Sequence, residues 1–134
     1  MKPITNFMIT EYGVQLLGMD FMGYKLMHGD EYTYHHIKKR CDGGDISVDN
    51  GAVLCGKTSH PYLHLIEYHD RRYYDFVSRE LKGINHDGYL TLSRLFRIDD
   101  ILCDFEDKHR FDKKKNGRML LKEKYLEREI KRFK

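Results

Sequence analysis

Cysteine is scarce and poorly spaced. The chain has 134 residues and three cysteines, Cys41, Cys55 and Cys103, with no CxxC pair. Such a set supplies neither a disulfide framework nor a four-thiolate zinc site. It fits a reducing compartment, so a cytoplasmic location is expected. Long apolar runs are also missing. A membrane-spanning helix needs about 18 consecutive apolar residues. The best stretch, Phe7 to Tyr24, is interrupted by Glu11, Gln15, Asp20 and three glycines, and it lacks a small-residue cleavage site. Neither a membrane anchor nor a secretory signal is expected, and membranes are not among the expected partners. There is no internal repeat and no low-complexity linker. The length suits one domain over residues 1–134. With 40% apolar and 34% charged residues, the core is modest, of the kind a bound metal or a partner can supplement.

The net charge of +3 hides an asymmetry. Residues 108–134 hold 12 Lys and Arg against four acidic residues, a local charge of +8, while the other 107 residues carry 12 against 17, or −5. A basic end on an acidic body is an electrostatic footprint for a polyanion, although a solvated helix face would look the same. Histidine is uneven too. Of eight histidines, His35, His36, His60, His64 and His69 fall between Tyr34 and Asp70. Imidazole titrates near neutrality and is the commonest metal ligand.

The coarse layout is strand, long polar loop, strand, helix, then mainly helix. Ile9 to Leu17 fits either a strand or a short helix. Glu31 to Ile37, rich in Tyr and Thr, reads as a strand. Lys38 to Asn50, with Gly43-Gly44 and four Asp or Asn, reads as a loop. Ala52 to Cys55, between Gly51 and Gly56, reads as a second strand. Ser59 is a natural N-cap and Pro61 suits a first turn. Leu63, Ile66, Tyr73, Phe76, Val77 and Leu81 approximate one helical face, and Gly83 is expected to stop that helix. A turn over Asn85 to Gly88 leads to helical stretches near Leu92 to Phe96 and Ile98 to Glu106. Met119, Leu126, Ile130 and Phe133 give a last amphipathic helix with a basic outer face.

On that layout His35 and His36 close the first strand, where neighbours point to opposite faces and cannot share a role. His60 and His64, four apart in the first turns of the helix, lie on one side of it, as bidentate metal binding requires. If the hairpin folds onto the helix, one strand histidine reaches that pair. Three imidazoles would leave a divalent ion with open positions, as catalytic sites do. They favour Zn²⁺, Ni²⁺, Co²⁺ or Mn²⁺ over the oxygen-preferring Mg²⁺. The fourth histidine is suited to take a proton from water at neutral pH.

The run Tyr34-His35-His36-Ile37, Gly43-Gly44, Asn50 to Leu54-Cys55, His60 and His64 resembles the HNH endonuclease family, whose ββα-metal core reads HHI, GG, N-x-x-x-L-C and H-x-x-x-H. The resemblance covers residues 32–81. It implies an α+β fold with that core; the residue pattern beyond it adds mainly helical segments and a basic helical tail at 108–134. It implies one catalytic divalent metal (Zn²⁺, Mn²⁺ or Ni²⁺ favoured, Mg²⁺ possible) on His35, His60 and His64. His36 matches the general base, and Asn50 the asparagine that holds the long loop. Family members hydrolyse phosphodiester bonds in DNA and usually leave 5′-phosphate and 3′-hydroxyl ends. The chain departs from many relatives in lacking the CxxC pairs of a structural zinc, and Lys39 stands where a proline is usual. A lone Cys55 is expected to be a buried apolar residue.

The expected partner is DNA, as a duplex. Lys38, Lys39 and Arg40 after the base, and Lys113, Lys114 and Lys115 in the tail, are the candidate phosphate contacts. One active site per chain would nick; a homodimer or a larger nucleic-acid-processing complex could cut both strands. The alternative is a non-catalytic ββα-metal module that binds nucleic acid or protein. A zinc peptidase is disfavoured because His60 is not followed by the glutamate of HExxH.

Overall fold

The computed structural model describes residues 3–12, 19–24 and 31–109. Lys113, Lys114 and Lys115 and the expected last helix lie outside the described residues. Two strands, β1 (Tyr32–His36) and β2 (Gly51–Cys55), pair antiparallel with Tyr32 opposite Cys55 and His36 opposite Gly51. Helix α1 (Pro3–Tyr12) precedes them; α2 (Ser59–His69), α3 (Arg71–Asp87) and α4 (Leu92–His109) follow. The described chain is thus mixed α+β. No helix in it is long and apolar enough to cross a membrane.

Register assigns the faces. Residues opposite each other in an antiparallel pair share a face, and successive residues alternate. Tyr32, Tyr34 and His36 therefore share one face with Gly51, Val53 and Cys55; Thr33 and His35 share the other with Ala52 and Leu54. All of β2 is buried, as a strand covered on both sides must be. Met8 of α1 packs on the face of Tyr34 and Gly51, and α2 packs on the opposite face. Asp20 ties a preceding turn to β2. Its buried carboxylate accepts from the N–H groups of Met22 (2.9 Å), Tyr24 (2.8 Å) and Cys55 (2.9 Å). Burial pushes the Asp20 carboxyl up to about 6, and these hydrogen bonds only partly oppose the shift.

The expected single helix from Ser59 to Gly83 is instead two. Asp70 breaks it with an extended backbone (φ −158°, ψ 100°), and its side chain accepts from the Arg72 N–H as the N-cap of α3. The Arg72 guanidinium (2.8 Å) and His109 Nε2 (2.8 Å) also hold that carboxylate. At the other end, Gly83 does not terminate α3. The helix runs on to Asp87, and Gly88 ends it with φ +79° and an N–H to the Ile84 carbonyl. Gly83 serves close approach: a Cβ there would collide with the Arg94 guanidinium, which bridges α4 to Glu80 (2.9 Å) and Asp87 (3.1 Å). The stretches expected near 92–96 and 98–106 merge into α4, which continues through Lys108. Tyr73, Tyr74, Val77, Leu81 and Ile84 form the buried stripe of α3; Phe76, expected on that face, is 40% exposed.

Candidate metal centre

Strand alternation and helix periodicity together bring three imidazoles to one point. His35 points from β1 toward α2, and His60 and His64 lie one turn apart at the start of α2. One ligand atom from each lies within 4.8 Å of the others. Ring centroids are 5.2 Å apart for His35 and His60, 5.5 Å for His35 and His64, and 4.8 Å for His60 and His64. The trio grades from buried His35 through half-buried His60 to exposed His64, so solvent reaches it most readily at His64. It is a nitrogen donor set with no carboxylate in the group, which suits Zn²⁺, Ni²⁺ or Co²⁺ better than Mg²⁺.

The electrostatics keep His35 and His60 neutral. Burial lowers His35 to about 3, helped by neighbouring His60 and His64. Burial and the adjacent His64 lower His60 to about 4. Neutral imidazole is the metal-binding form. Each ring also has a neighbour. Thr33 Oγ1 lies 2.7 Å from His60 Nδ1, and Glu67 Oε1 lies 3.3 Å from His64 Nδ1. The Tyr74 hydroxyl lies 3.4 Å from His35 Nε2, a contact long enough to yield to a metal bond. Burial holds the Tyr74 phenol protonated, up to about 12. Sequence reading missed Thr33, Glu67 and Tyr74. Thr33 and Glu67 carried a signal: each lies two or three residues from a histidine of the trio, on the same face of its element.

His36 sits apart. It lies on the other face of β1, with its ring edge-on to Tyr34 at a centroid distance of 4.9 Å. Its Nε2 is shut off from solvent with no hydrogen-bond partner, so only Nδ1 can meet a water unless the ring turns. Asn50 braces the loop. Its Oδ1 accepts from the Lys38 N–H (2.8 Å), and its Nδ2 donates to the carbonyls of Lys38 (3.0 Å) and Asp45 (2.9 Å). The close approach of Gly44 to the Lys38 carbonyl leaves no room for a side chain.

The three loop cations have different surroundings. Lys39 pairs with Glu67, whose second oxygen faces His64. Burial alone would raise the Glu67 carboxyl, but hydrogen bonds from Lys39 and His64 hold it below its ordinary value. Arg40 is exposed at the start of a short 3₁₀ turn. Lys38 lines a cleft of about 720 Å³ between the loop and α3, with Asp45 and Asn50 on one wall and Asp75, Arg79 and Lys82 on the other. Lys38, Arg79 and Lys82 have no carboxylate partner among the described residues, whereas Arg71, Arg72, Arg94 and Arg97 each have at least one. Cys55 is buried and unbridged.

Compared with models of known protein families, with curated proteins and with solved structures, the chain matches none.

Proposed function

We propose that this protein is a metal-dependent endonuclease of the HNH type that hydrolyses DNA phosphodiester bonds. The observation that carries the reading is the convergence of His35, His60 and His64 within 4.8 Å on a strand–strand–helix unit, with the sequence pattern quoted above. A divalent ion held by these three side chains would supply Lewis-acid stabilisation of charge on the phosphate and the leaving oxygen. The chain's own residues do the rest. His36 takes the proton of the attacking water through Nδ1, or through Nε2 once its ring turns outward. Asn50 fixes the loop that follows His36. Lys38, Arg79 and Lys82, which have no acid partner among the described residues, supply phosphate contacts along the cleft.

A second reading is favoured by one observation. His36 Nε2 is enclosed on the face away from the trio, which suits a non-catalytic metal-stabilised module that binds nucleic acid or protein. Plasmid cleavage across Mg²⁺, Mn²⁺, Ni²⁺ and Zn²⁺ separates the two. The nuclease reading expects metal-dependent nicking that His36→Ala abolishes. Absence of cleavage with every ion, alongside intact metal binding, would favour the module.

A further inference from the structure

A neutral imidazole has one N–H and one lone pair, and only the lone pair binds a metal. Which nitrogen carries the proton is set by the hydrogen bond the ring makes on its far side. Thr33 Oγ1 lies 2.7 Å from His60 Nδ1 and 3.0 Å from the Leu54 carbonyl oxygen. A hydroxyl has a single proton, and a carbonyl oxygen can only accept. The Thr33 proton therefore goes to Leu54, and Thr33 meets His60 as an acceptor. His60 must donate from Nδ1, which puts its lone pair on Nε2.

The same logic applies one turn later with a different acceptor. Glu67 Oε1 faces His64 Nδ1 at 3.3 Å. The other carboxylate oxygen is engaged by Lys39, with Arg71 3.7 Å away. Two cations keep this carboxylate ionised, and an ionised carboxylate can only accept. His64 also donates from Nδ1 and keeps its lone pair on Nε2.

We infer that Thr33 and Glu67 are positioning residues. They lock His60 and His64 in the Nδ1–H tautomer, so that both Nε2 lone pairs are free for a cation that accepts imidazole nitrogen. The metal half of this inference rests on the three-histidine reading; the tautomer half does not. Lys39 acquires a role other than phosphate contact, because it holds Glu67 as an acceptor.

Long-range ¹H–¹⁵N spectra of the histidine rings in the metal-free full-length chain read the tautomers directly. Nδ1–H is expected for His60 and His64, and Thr33→Val should release His60 alone into a mixture. Nε2–H as the major form of either ring would overturn the assignment. Zn²⁺ titration by calorimetry tests the consequence. Thr33→Val and Glu67→Ala should each weaken binding tenfold or more. Thr33→Ser, which keeps the hydroxyl, and Glu67→Gln, which keeps an acceptor oxygen, should recover most of it. Wild-type affinity in both Val and Ala variants would overturn the positioning role. A wild-type chain that binds no Zn²⁺ would end the metal-centre reading, while the ring spectra would still decide the tautomers.

Discussion

The two faces of β1 differ sharply, although the residues on them alternate one by one. Thr33 and His35 face α2 and border the imidazole cluster, where burial keeps His35 and His60 neutral and the Thr33 hydroxyl meets His60. Tyr34 and His36 face the other way, where the Tyr34 hydroxyl donates to the Ser47 carbonyl (2.8 Å) and accepts from its N–H (3.0 Å). Adjacent histidines thus meet different surroundings because a strand turns each successive side chain over. The lesson is a division of labour: one face gathers donors, and the other anchors the loop and cleft. On the proposed reading, cleavage needs both.

The largest effect should come from breaking the first face. His35→Ala removes the buried member of the trio and should lower Zn²⁺ affinity by more than about 100-fold, as loss of one of three ligands implies. Its counterpart on the second face, His36→Ala, should leave Zn²⁺ affinity within about threefold of wild type, because this ring lies outside the donor group. It should still lower cleavage by about 10²–10⁴-fold, the range for loss of a general base. Calorimetry and plasmid nicking on the same samples read the two effects apart. Equal Zn²⁺ losses in both variants would erase the distinction between faces.

Asn50→Ala strikes the second face alone. It deletes three hydrogen bonds between the loop and its own ends, and should cost about 1–3 kcal/mol of stability. Thermal denaturation checks this, and Zn²⁺ affinity should hold.

The pH dependence of the metal-free protein sharpens the first face. His35 and His60 have folded-state values near 3 and 4, below the ordinary 6.5. The unfolded chain therefore takes up their protons first as pH falls below 6.5, and stability is lost. Asp20, raised to about 6 from 3.8, works the other way: the folded state takes up its proton first. Between about pH 4 and 6, two histidines outweigh one aspartate, so stability should fall with acidification by a slope of about one net proton. Melting temperatures at pH 7, 6 and 5 should decrease in that order. A flat profile would mean that His35 and His60 are not buried as described. Neutralising Asp20 as Asp20→Asn should steepen the fall.

The smallest effect concerns the cleft. Arg79→Ala and Lys82→Ala should each reduce the salt dependence of DNA binding by about one phosphate contact without changing Zn²⁺ affinity. Charge reversal of Lys113, Lys114 and Lys115 provides the comparison for the tail. If only the tail variant moves the salt slope, the cleft is not the seat of the strand.

Much of the strand–loop–strand–helix order was legible in sequence, because each piece has its own local punctuation. Tyr- and Thr-rich residues mark β1, Gly43-Gly44 the loop, glycines the ends of β2, and Pro61 the start of α2. The i, i+4 spacing of His60 and His64 needs only helix geometry to become a pair. What escaped depends on contacts distant in sequence. Asp70 reads as one more polar helix residue until its carboxylate is seen to cap Arg72 and receive His109. Gly83 reads as a stop signal until Arg94, eleven residues on, is found lying across it. Thr33 is an ordinary strand residue until the hairpin brings Leu54 and His60 to either side of its hydroxyl. The Lys39 pair with Glu67 is likewise invisible until α2 is brought beside the loop.

X-ray absorption at the zinc edge of the stoichiometrically loaded full chain tests the convergence most directly. Three imidazole nitrogens should appear in the first shell at about 2.0–2.1 Å, falling to two in His64→Ala. A shell built without imidazole, or one unchanged by that substitution, would contradict the three-histidine centre.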